Sequence, residues 1–164
     1  MIEIKYIAPE IFLTISIFSL ICIGVFLKNS FSTIYRLSIL VIMSILLIIL
    51  TRNFETVKIF NDSIVIDNFS KYIKSLILIS SIFILSMSKK YLIDNKIDKF
   101  EYPIIVLLSI LGMFIMVSSN DLIVFYLGLE LQSLALYILA AIDRDNTRSS
   151  EAGIKYFVLS ALSS

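Results

Sequence analysis

The sequence predicts an all-α polytopic membrane protein with five transmembrane helices and the start of a sixth. Hydrophobic residues make up 59% of the 164 residues and charged residues only 16%, which is far from the composition of a soluble domain. The apolar residues form runs long enough to cross a bilayer core, which takes roughly 20 residues at ~1.5 Å per residue. Most charged residues lie between these runs, as in the loops of a polytopic protein.

Each of the five complete spans is an apolar run bounded by polar residues, and they cover about 7–27, 34–50, 72–88, 102–117 and 122–142. Pro9 and Pro103 fall in the first turns of the first and fourth spans, where a missing N–H costs nothing. A sixth run begins at Glu151 and continues to Ser164. We interpret residues 1–164 as a single transmembrane domain.

The sixth run is too short to span a bilayer. A half-finished span leaves its last carbonyl groups unpaired in hydrocarbon, which is not a stable terminus. We therefore expect either a second polypeptide that completes the subunit after Ser164 or a missing C-terminal part.

Composition excludes several kinds of site. The sequence has no histidine, and Cys22 is its one cysteine, which excludes a disulfide framework and a Cys/His metal site. The net charge of +1 gives no reason to expect a nucleic-acid partner. Nor does the sequence contain a Gly-rich phosphate loop, a nucleophile constellation or a cofactor-binding motif.

The N-terminus does not have the pattern of a cleavable signal. Orientation follows from lysine and arginine. The side of the N-terminus holds Lys5, Arg52, Lys58, Lys71 and Lys74. The other side holds the larger set Lys28, Arg36, Lys89, Lys90, Lys96, Lys99, Arg144 and Arg148. The N-terminus is therefore predicted on the outer side, and the AT-rich residue usage favours an organelle-encoded protein of the mitochondrial inner membrane, with the bacterial plasma membrane as the alternative.

The long polar segment 51–71 connects the second and third spans. Apolar and polar residues partly alternate around the turn signal Asn61-Asp62, which is typical of a short hairpin. An irregular surface loop fits the pattern equally well.

Glu130 is the most informative residue, because it lies inside the apolar run 122–141. A carboxylate at the centre of a membrane helix costs about 2.5–3.5 kcal/mol on insertion scales. Glu130 lies ~12–14 Å from the Asp121 end of the helix, near mid-bilayer. Such a group is suited to gaining and losing a proton, whereas its structural alternative is a carboxyl that joins two helices by hydrogen bonds.

Tyr126, Glu130, Ser133 and Tyr137 follow helical spacing and therefore form one polar stripe on the fifth helix. Polar groups inside a membrane face the bundle interior or a wet cavity rather than lipid. The same helix also contains small residues, among them Gly128 and, at its end, Ala141. Small residues of this kind indicate close packing against another helix.

Lys155 is the second candidate, one turn into the sixth helix. Its simplest partner is Glu151 four residues earlier, an arrangement that stabilises helices by ~0.2–0.5 kcal/mol. From the rise per residue, Lys155 is offset from Glu130 by ~12 Å along the membrane normal, too far for a direct ion pair. We therefore expect any close counter-charge of Glu130 to lie outside this sequence.

The run FYLGLELQSLALYILAAIDRDNTRSSEAGIKYFVLSALSS closely resembles the antiporter-like subunit 2 of respiratory complex I, the proton-pumping NADH:ubiquinone oxidoreductase. The segments APEIFL, DNFSKYIKSLILISS and EYPIIVLLSILGMFIMVSSNDL resemble the same family. The resemblance implies that the chain is the N-terminal part of an antiporter-like helix bundle, which has two inverted repeats and a polar axis of lysines at mid-membrane. It also implies that Glu130 is the fifth-helix glutamate that pairs with a seventh-helix lysine, and that Lys155 is the sixth-helix lysine.

The resemblance implies a membrane-arm subunit that contributes to proton translocation coupled to electron transfer from NADH to quinone. Its partners are other membrane-arm subunits and lipid. Such subunits bind no NADH, FMN, iron–sulfur cluster or ubiquinone themselves, so no cofactor is expected in this chain. Two alternatives are a structural scaffold of the same arm without transport, and a subunit of a cation/proton antiporter.

Overall fold

Six helices and one β-hairpin make up the computed structural model, which describes residues 6–27, 30–51 and 56–163. The helices, in chain order, are α1 (Ala8–Phe26), α2 (Ser30–Thr51), α3 (Asn68–Asp94), α4 (Glu101–Ser118), α5 (Leu122–Ala140) and α6 (Thr147–Ser163). Helices α1–α5 are long and apolar enough to cross a membrane. The predicted fold class is therefore confirmed: an all-α polytopic membrane protein with five spans, followed by a sixth helix.

Several helix ends differ from their predicted positions, and at the start of α3 the cause is a side chain that caps the helix outside the apolar run. Helix α3 begins at Asn68 rather than near residue 72, since the Asp67 carboxylate accepts the Ser70 backbone N–H at 2.7 Å. Its last turns pass beyond residue 88 to Asp94. A capping interaction of this kind stabilises a helix by ~1 kcal/mol. Helix α2 also begins earlier than predicted, at Ser30.

The predicted start of the sixth helix at Glu151 was wrong by one turn. Helix α6 begins at Thr147, because the Asn146 side-chain oxygen accepts the Arg148 backbone N–H at 3.0 Å. The Ser149 hydroxyl also donates to the Ala140 carbonyl at 2.7 Å, which ties the start of α6 to the end of α5.

The segment between α2 and α3 forms a short β-hairpin, one of the two structures that its sequence allowed. Strands β1 (Val57–Ile59) and β2 (Ile64–Ile66) pair antiparallel, with Val57 opposite Ile66. The turn between them holds Asn61 and Asp62 at positive φ, a conformation that Asn and Asp tolerate better than most residues.

The hairpin also packs on the connection between α4 and α5. The Asn120 N–H donates to the Ser63 carbonyl at 2.9 Å, and its side-chain amide donates to the Asp62 carbonyl at 2.8 Å. These bonds hold the hairpin against the C-terminal end of α4.

Helix α4 occupies the centre of the bundle and contacts α1, α2, α3 and α5. Its buried residues Leu107, Ile110 and Phe114 pack in one apolar core with side chains from α1, α2 and α3. Helix α6 packs on α5.

The contact between α4 and α5 depends on two glycines. A Cβ at Gly112 would lie 2.7 Å from the Gln132 backbone nitrogen, and one at Gly128 would lie 2.8 Å from the Met116 backbone nitrogen. The obstacle is backbone in both cases, so only glycine allows this separation. The predicted packing role of Gly128 is therefore confirmed.

Candidate functional site: ionisable groups within the helix bundle

Glu130 lies half-buried in the middle of α5. Its carboxyl oxygen Oε2 is buried and has no hydrogen-bond partner within the part of the chain that the structure describes. A buried carboxyl oxygen without a partner carries an uncompensated desolvation cost. The structure thus gives no evidence, among the described residues, that Glu130 joins two helices by hydrogen bonds.

The predicted polar stripe of α5 passes through three environments. Tyr126 is exposed, and the Ser133 hydroxyl donates to the Glu130 backbone carbonyl at 2.9 Å. Tyr137 is buried against α6, where its hydroxyl donates to Ser160 and its ring meets the Tyr156 ring edge-on at 4.6 Å. The stripe residues share a helical spacing but not a common role in packing. Tyr137 packs between α5 and α6, whereas no described hydrogen bond joins Glu130 or Tyr126 to α6.

Lys155 pairs with Glu151, as the simplest interpretation of its spacing predicts. The Nζ–Oε1 distance is 2.5 Å, and the side chains are 69% and 62% exposed. An exposed pair of this kind contributes little stability, because water and salt screen it.

The register of α6 on α5 separates Lys155 from Glu130. A Cβ at Gly153 would meet the Ala141 Cβ at 2.6 Å, so Lys155 lies near the same end of α5 as Ala141 and Tyr137. Seven residues separate Tyr137 from Glu130, which corresponds to ~10 Å along the helix. This agrees with the predicted offset, although the helix begins a turn earlier than expected.

A second pair of ionisable groups, Glu10 and Lys74, was missed as a site by sequence reasoning. The Lys74 ammonium lies 2.5 Å from Glu10 Oε1, and the two side chains are only 6% and 14% exposed. The same ammonium lies 5.5 Å from the centroid of the Phe114 ring, within the range of a cation–π interaction. The pair therefore connects α1 to α3 beside the central helix α4.

Lys74 was counted from the sequence among the charges of the outer side, although the predicted span 72–88 already contained it, and its burial was not predicted. It is a buried residue of α3, two turns from the Asp67 cap. A sequence signal was available: Asp67 followed by Ser70 forms a capping box that starts the helix at Asn68, which places Lys74 a turn deeper in the helix than the predicted start near residue 72. Glu10 follows Pro9 in the first turn of α1, a position where carboxylates are common, and so it did not stand out.

Within the described ranges, no group of three or more His, Cys, Asp or Glu side chains is placed to hold a metal ion. The fold and these positions define the class of protein: a polytopic helical membrane protein that carries ionisable side chains inside its spans.

Comparison with known proteins points to a particular family. Residues 119–164 match the family described as NADH:quinone oxidoreductase/Mrp antiporter, transmembrane. The chain is 49% identical to NADH-quinone oxidoreductase subunit N of Pelagibacter ubique over 99% of this chain and 35% of the relative. It is 44% identical to the subunit N of Paramagnetospirillum magneticum, over 99% of this chain and 34% of that relative.

A solved structure has the same fold. A chain in the structure of respiratory complex I from Thermus thermophilus with bound aureothin has a TM-score of 0.77 to this protein. The match covers 94% of this chain and 33% of that one, at 24% identity, and it bears on the fold alone.

The resemblance to the antiporter-like subunits of complex I is therefore confirmed. The chain spans about a third of the length of the curated relatives it matches.

Proposed function

We propose that this chain forms part of an antiporter-like membrane-arm subunit of NADH:quinone oxidoreductase. In that role it contributes to proton translocation coupled to electron transfer from NADH to quinone, and it carries out no redox chemistry itself. The proposal is supported by relatives named NADH-quinone oxidoreductase subunit N, which are similar to nearly the whole chain. Treating residues 1–164 as one transmembrane domain is part of the same proposal.

The observation that carries the proposal is the position of Glu130. This carboxyl lies inside a membrane-spanning helix, and one of its oxygens is buried without a partner among the described residues. Retaining such a group is expensive, so it is best explained by a use that requires the carboxyl to change its protonation state. Lys155 is proposed as a second proton-translocating residue, with Tyr126, Ser133 and Tyr137 as supporting polar side chains.

The test is Glu130→Gln in the assembled complex. We expect quinone reduction to drive much less proton pumping in membrane vesicles, with assembly largely intact, because glutamine has the shape of glutamate but cannot exchange a proton. Glu101→Gln, the same change at a carboxylate in the first turn of α4, is the matched control and should pump normally. Unchanged pumping in an assembled Glu130→Gln complex would end the proton role.

Lys155→Ala in the same assay should cause a partial loss of pumping. A variant that pumps like the wild type would leave Lys155 with its pairing to Glu151 alone.

A stand-alone cation/proton antiporter is the second candidate, because the matched family description names both activities. The names of the closely similar relatives favour the oxidoreductase. Copurification with a large NADH-oxidising assembly separates the two. A scaffold without transport is the third candidate, and it predicts normal pumping in both the Glu130 and the Lys155 variants.

The proposed partners are other membrane-arm subunits and membrane lipid, with no nucleic acid. NADH, FMN, iron–sulfur clusters and ubiquinone belong to the complex as a whole rather than to this chain. The chain is a multi-pass membrane protein. A mitochondrial inner-membrane location with the N-terminus outside is our proposal, and the bacterial relatives fit the alternative of a plasma membrane.

A further inference from the structure

Two apolar grooves lie side by side at the end of the bundle opposite the hairpin. One lies between α1, α4 and α5 and the other between α4, α5 and α6, and we call them the α1 groove and the α6 groove. Each has a volume of about 560 Å³, within the roughly 300–1,000 Å³ that is usual for small-molecule sites. Ile105 and Ile138 line both grooves, so the grooves adjoin at these two side chains.

The α1 groove extends over half of the membrane. Its lining on α4 runs from Glu101, the first residue of that helix, to Leu111, which corresponds to ~15 Å. Its lining on α1 runs from Val25 to Thr14, which corresponds to ~17 Å. Half of a ~30 Å hydrocarbon core is also ~15 Å. The groove therefore has the depth of one lipid leaflet, whereas a transmembrane helix has to cross the whole core.

The α1 groove is also too narrow to admit a helix. Its volume of about 560 Å³, spread over ~15 Å, corresponds to a cross-section of roughly 40 Å². A helix that is ~10 Å across with its side chains has a cross-section of roughly 80 Å². An acyl chain is much narrower than a helix, because it is a single unbranched hydrocarbon chain. The depth, the width and the apolar lining of the groove thus all fit an acyl chain.

Basic side chains lie at the end of the grooves where the helices leave the membrane. Arg144, in the connection between α5 and α6, lines both grooves, and Lys99 lines the α6 groove. Neither side chain takes part in an ion pair among the described residues. Arginine and lysine are the side chains that bind phosphate groups.

The acidic residue at this end does not cancel the positive charge. Glu101 lines both grooves as well. Its carboxylate only accepts hydrogen bonds and is therefore no ligand for a phosphate. Together with Arg144 and Lys99 it leaves one net positive charge, which is the complement of a single phosphodiester.

We propose that the two grooves bind one membrane phospholipid. Its phosphate contacts Arg144 and Lys99, one acyl chain occupies the α1 groove, and the other occupies the α6 groove. The two chains diverge on either side of Ile105 and Ile138. Glu130 and Lys155 line neither groove, so the site does not rest on the proposed proton translocation.

Photocrosslinking of the chain in its membrane complex, reconstituted in vesicles, tests the proposal. The probe is a phosphatidylethanolamine that carries a diazirine near the end of one acyl chain. The comparison probe is the diacylglycerol with the same two chains, which lacks the phosphate. After illumination, mass spectrometry locates the labelled residues. Leu111 and Leu131 report the inner end of the α1 groove, and Ile79, exposed on α3, reports lipid outside the grooves.

We expect phosphatidylethanolamine to label Leu111 and Leu131 at least about fivefold more than diacylglycerol does, because only the phospholipid is held by basic side chains. The two probes should label Ile79 equally. Equal labelling of Leu111 and Leu131 by both probes would overturn the recognition of phosphate. Absence of label from these two residues with either probe is the result expected if polypeptide covers the grooves, and it would overturn the site.

The double variant Lys99→Gln with Arg144→Gln should lower the phosphatidylethanolamine label in the α1 groove to the level of diacylglycerol. Arg148→Gln is the matched control, because Arg148 is an exposed arginine four residues after Arg144 that lines neither groove. It should leave the label unchanged. Undiminished labelling in the double variant would overturn the assignment of Lys99 and Arg144 as phosphate ligands.

Discussion

Helices α1–α4 and helices α5–α6 each contain a notable glutamate and lysine, but the burial and pairing of these side chains differ between the two regions. In the first region Glu10 and Lys74 are buried and compensate each other at 2.5 Å. In the second, the Glu130 carboxyl has a buried oxygen without a described partner, and Lys155 is exposed beside Glu151. The first region pairs its two buried charges with each other, while Glu10 Oε2 is left without a described hydrogen-bond partner. The second keeps a carboxyl available for a group outside the described residues or for a proton.

The first region is also the more tightly packed of the two. In an 18-residue apolar stretch of α4, 44% of the residues are buried, against 17% in the corresponding stretch of α5. Apolar side chains such as Leu122 and Ile123 at the start of α5 are largely exposed. In a membrane such surface is covered by lipid or by protein, which is consistent with the proposed place in a larger assembly. The difference fits our proposal that α5 carries the functional group, while α1–α4 form a more fully packed core.

The largest expected effect comes from breaking the buried pair with Lys74→Met. Removing one partner leaves Glu10 as an uncompensated buried charge, which costs roughly 3–5 kcal/mol. Unfolding of the purified chain in detergent, followed by circular dichroism against denaturant, measures the loss. Lys90→Met, an exposed lysine near the end of the same helix, is the control and should have little effect.

The double variant Glu10→Gln with Lys74→Met removes both charges and should recover most of that stability. If the single Lys74→Met variant were as stable as the wild type, the pair would not stabilise the first region.

Gly112→Ala tests the close contact between α4 and α5, where the two regions meet. The added methyl group meets the backbone of α5, and overpacking of this kind costs about 1–3 kcal/mol. The same unfolding assay applies. Ala152→Leu, at an exposed position on α6, should be tolerated. Equal stability of Gly112→Ala and the wild type would mean that α5 moves freely relative to α4.

Glu130→Gln should change the free energy of unfolding by less than about 1 kcal/mol, because no ion pair or side-chain hydrogen bond of Glu130 is lost among the described residues. The contrast with Lys74→Met is the sharpest test of the comparison. A loss as large as that of Lys74→Met would show that Glu130 has a structural partner and that both regions are built alike.

Lys155→Ala should have the smallest effect, about 0.2–0.5 kcal/mol, as expected for an exposed pair one turn apart on a helix. Thermal unfolding at low and at high salt measures it, and salt should reduce the difference between variant and wild type. A larger effect that persists in high salt would place Lys155 in a buried contact.

Sequence reasoning found Glu130 but not Glu10 or Lys74, and the reason is position within the apolar runs. Glu130 has apolar neighbours on both sides for several turns, so its cost is visible in the sequence alone. Glu10 and Lys74 lie near the ends of their runs, where a charge normally reaches water. The α2–α3 hairpin was one of two equal alternatives, because its strands have only three residues each.

The sequence by itself determined the membrane class, the five spans, the packing role of Gly128 and the pairing of Lys155 with Glu151. These features depend on hydropathy and helical spacing among near neighbours, which a single stretch of chain contains. Only the tertiary structure decided that Lys74 is buried and paired with Glu10, 64 residues away in the chain. Burial and ion pairing depend on how α1, α3 and α4 approach each other, and no local stretch of sequence contains that geometry.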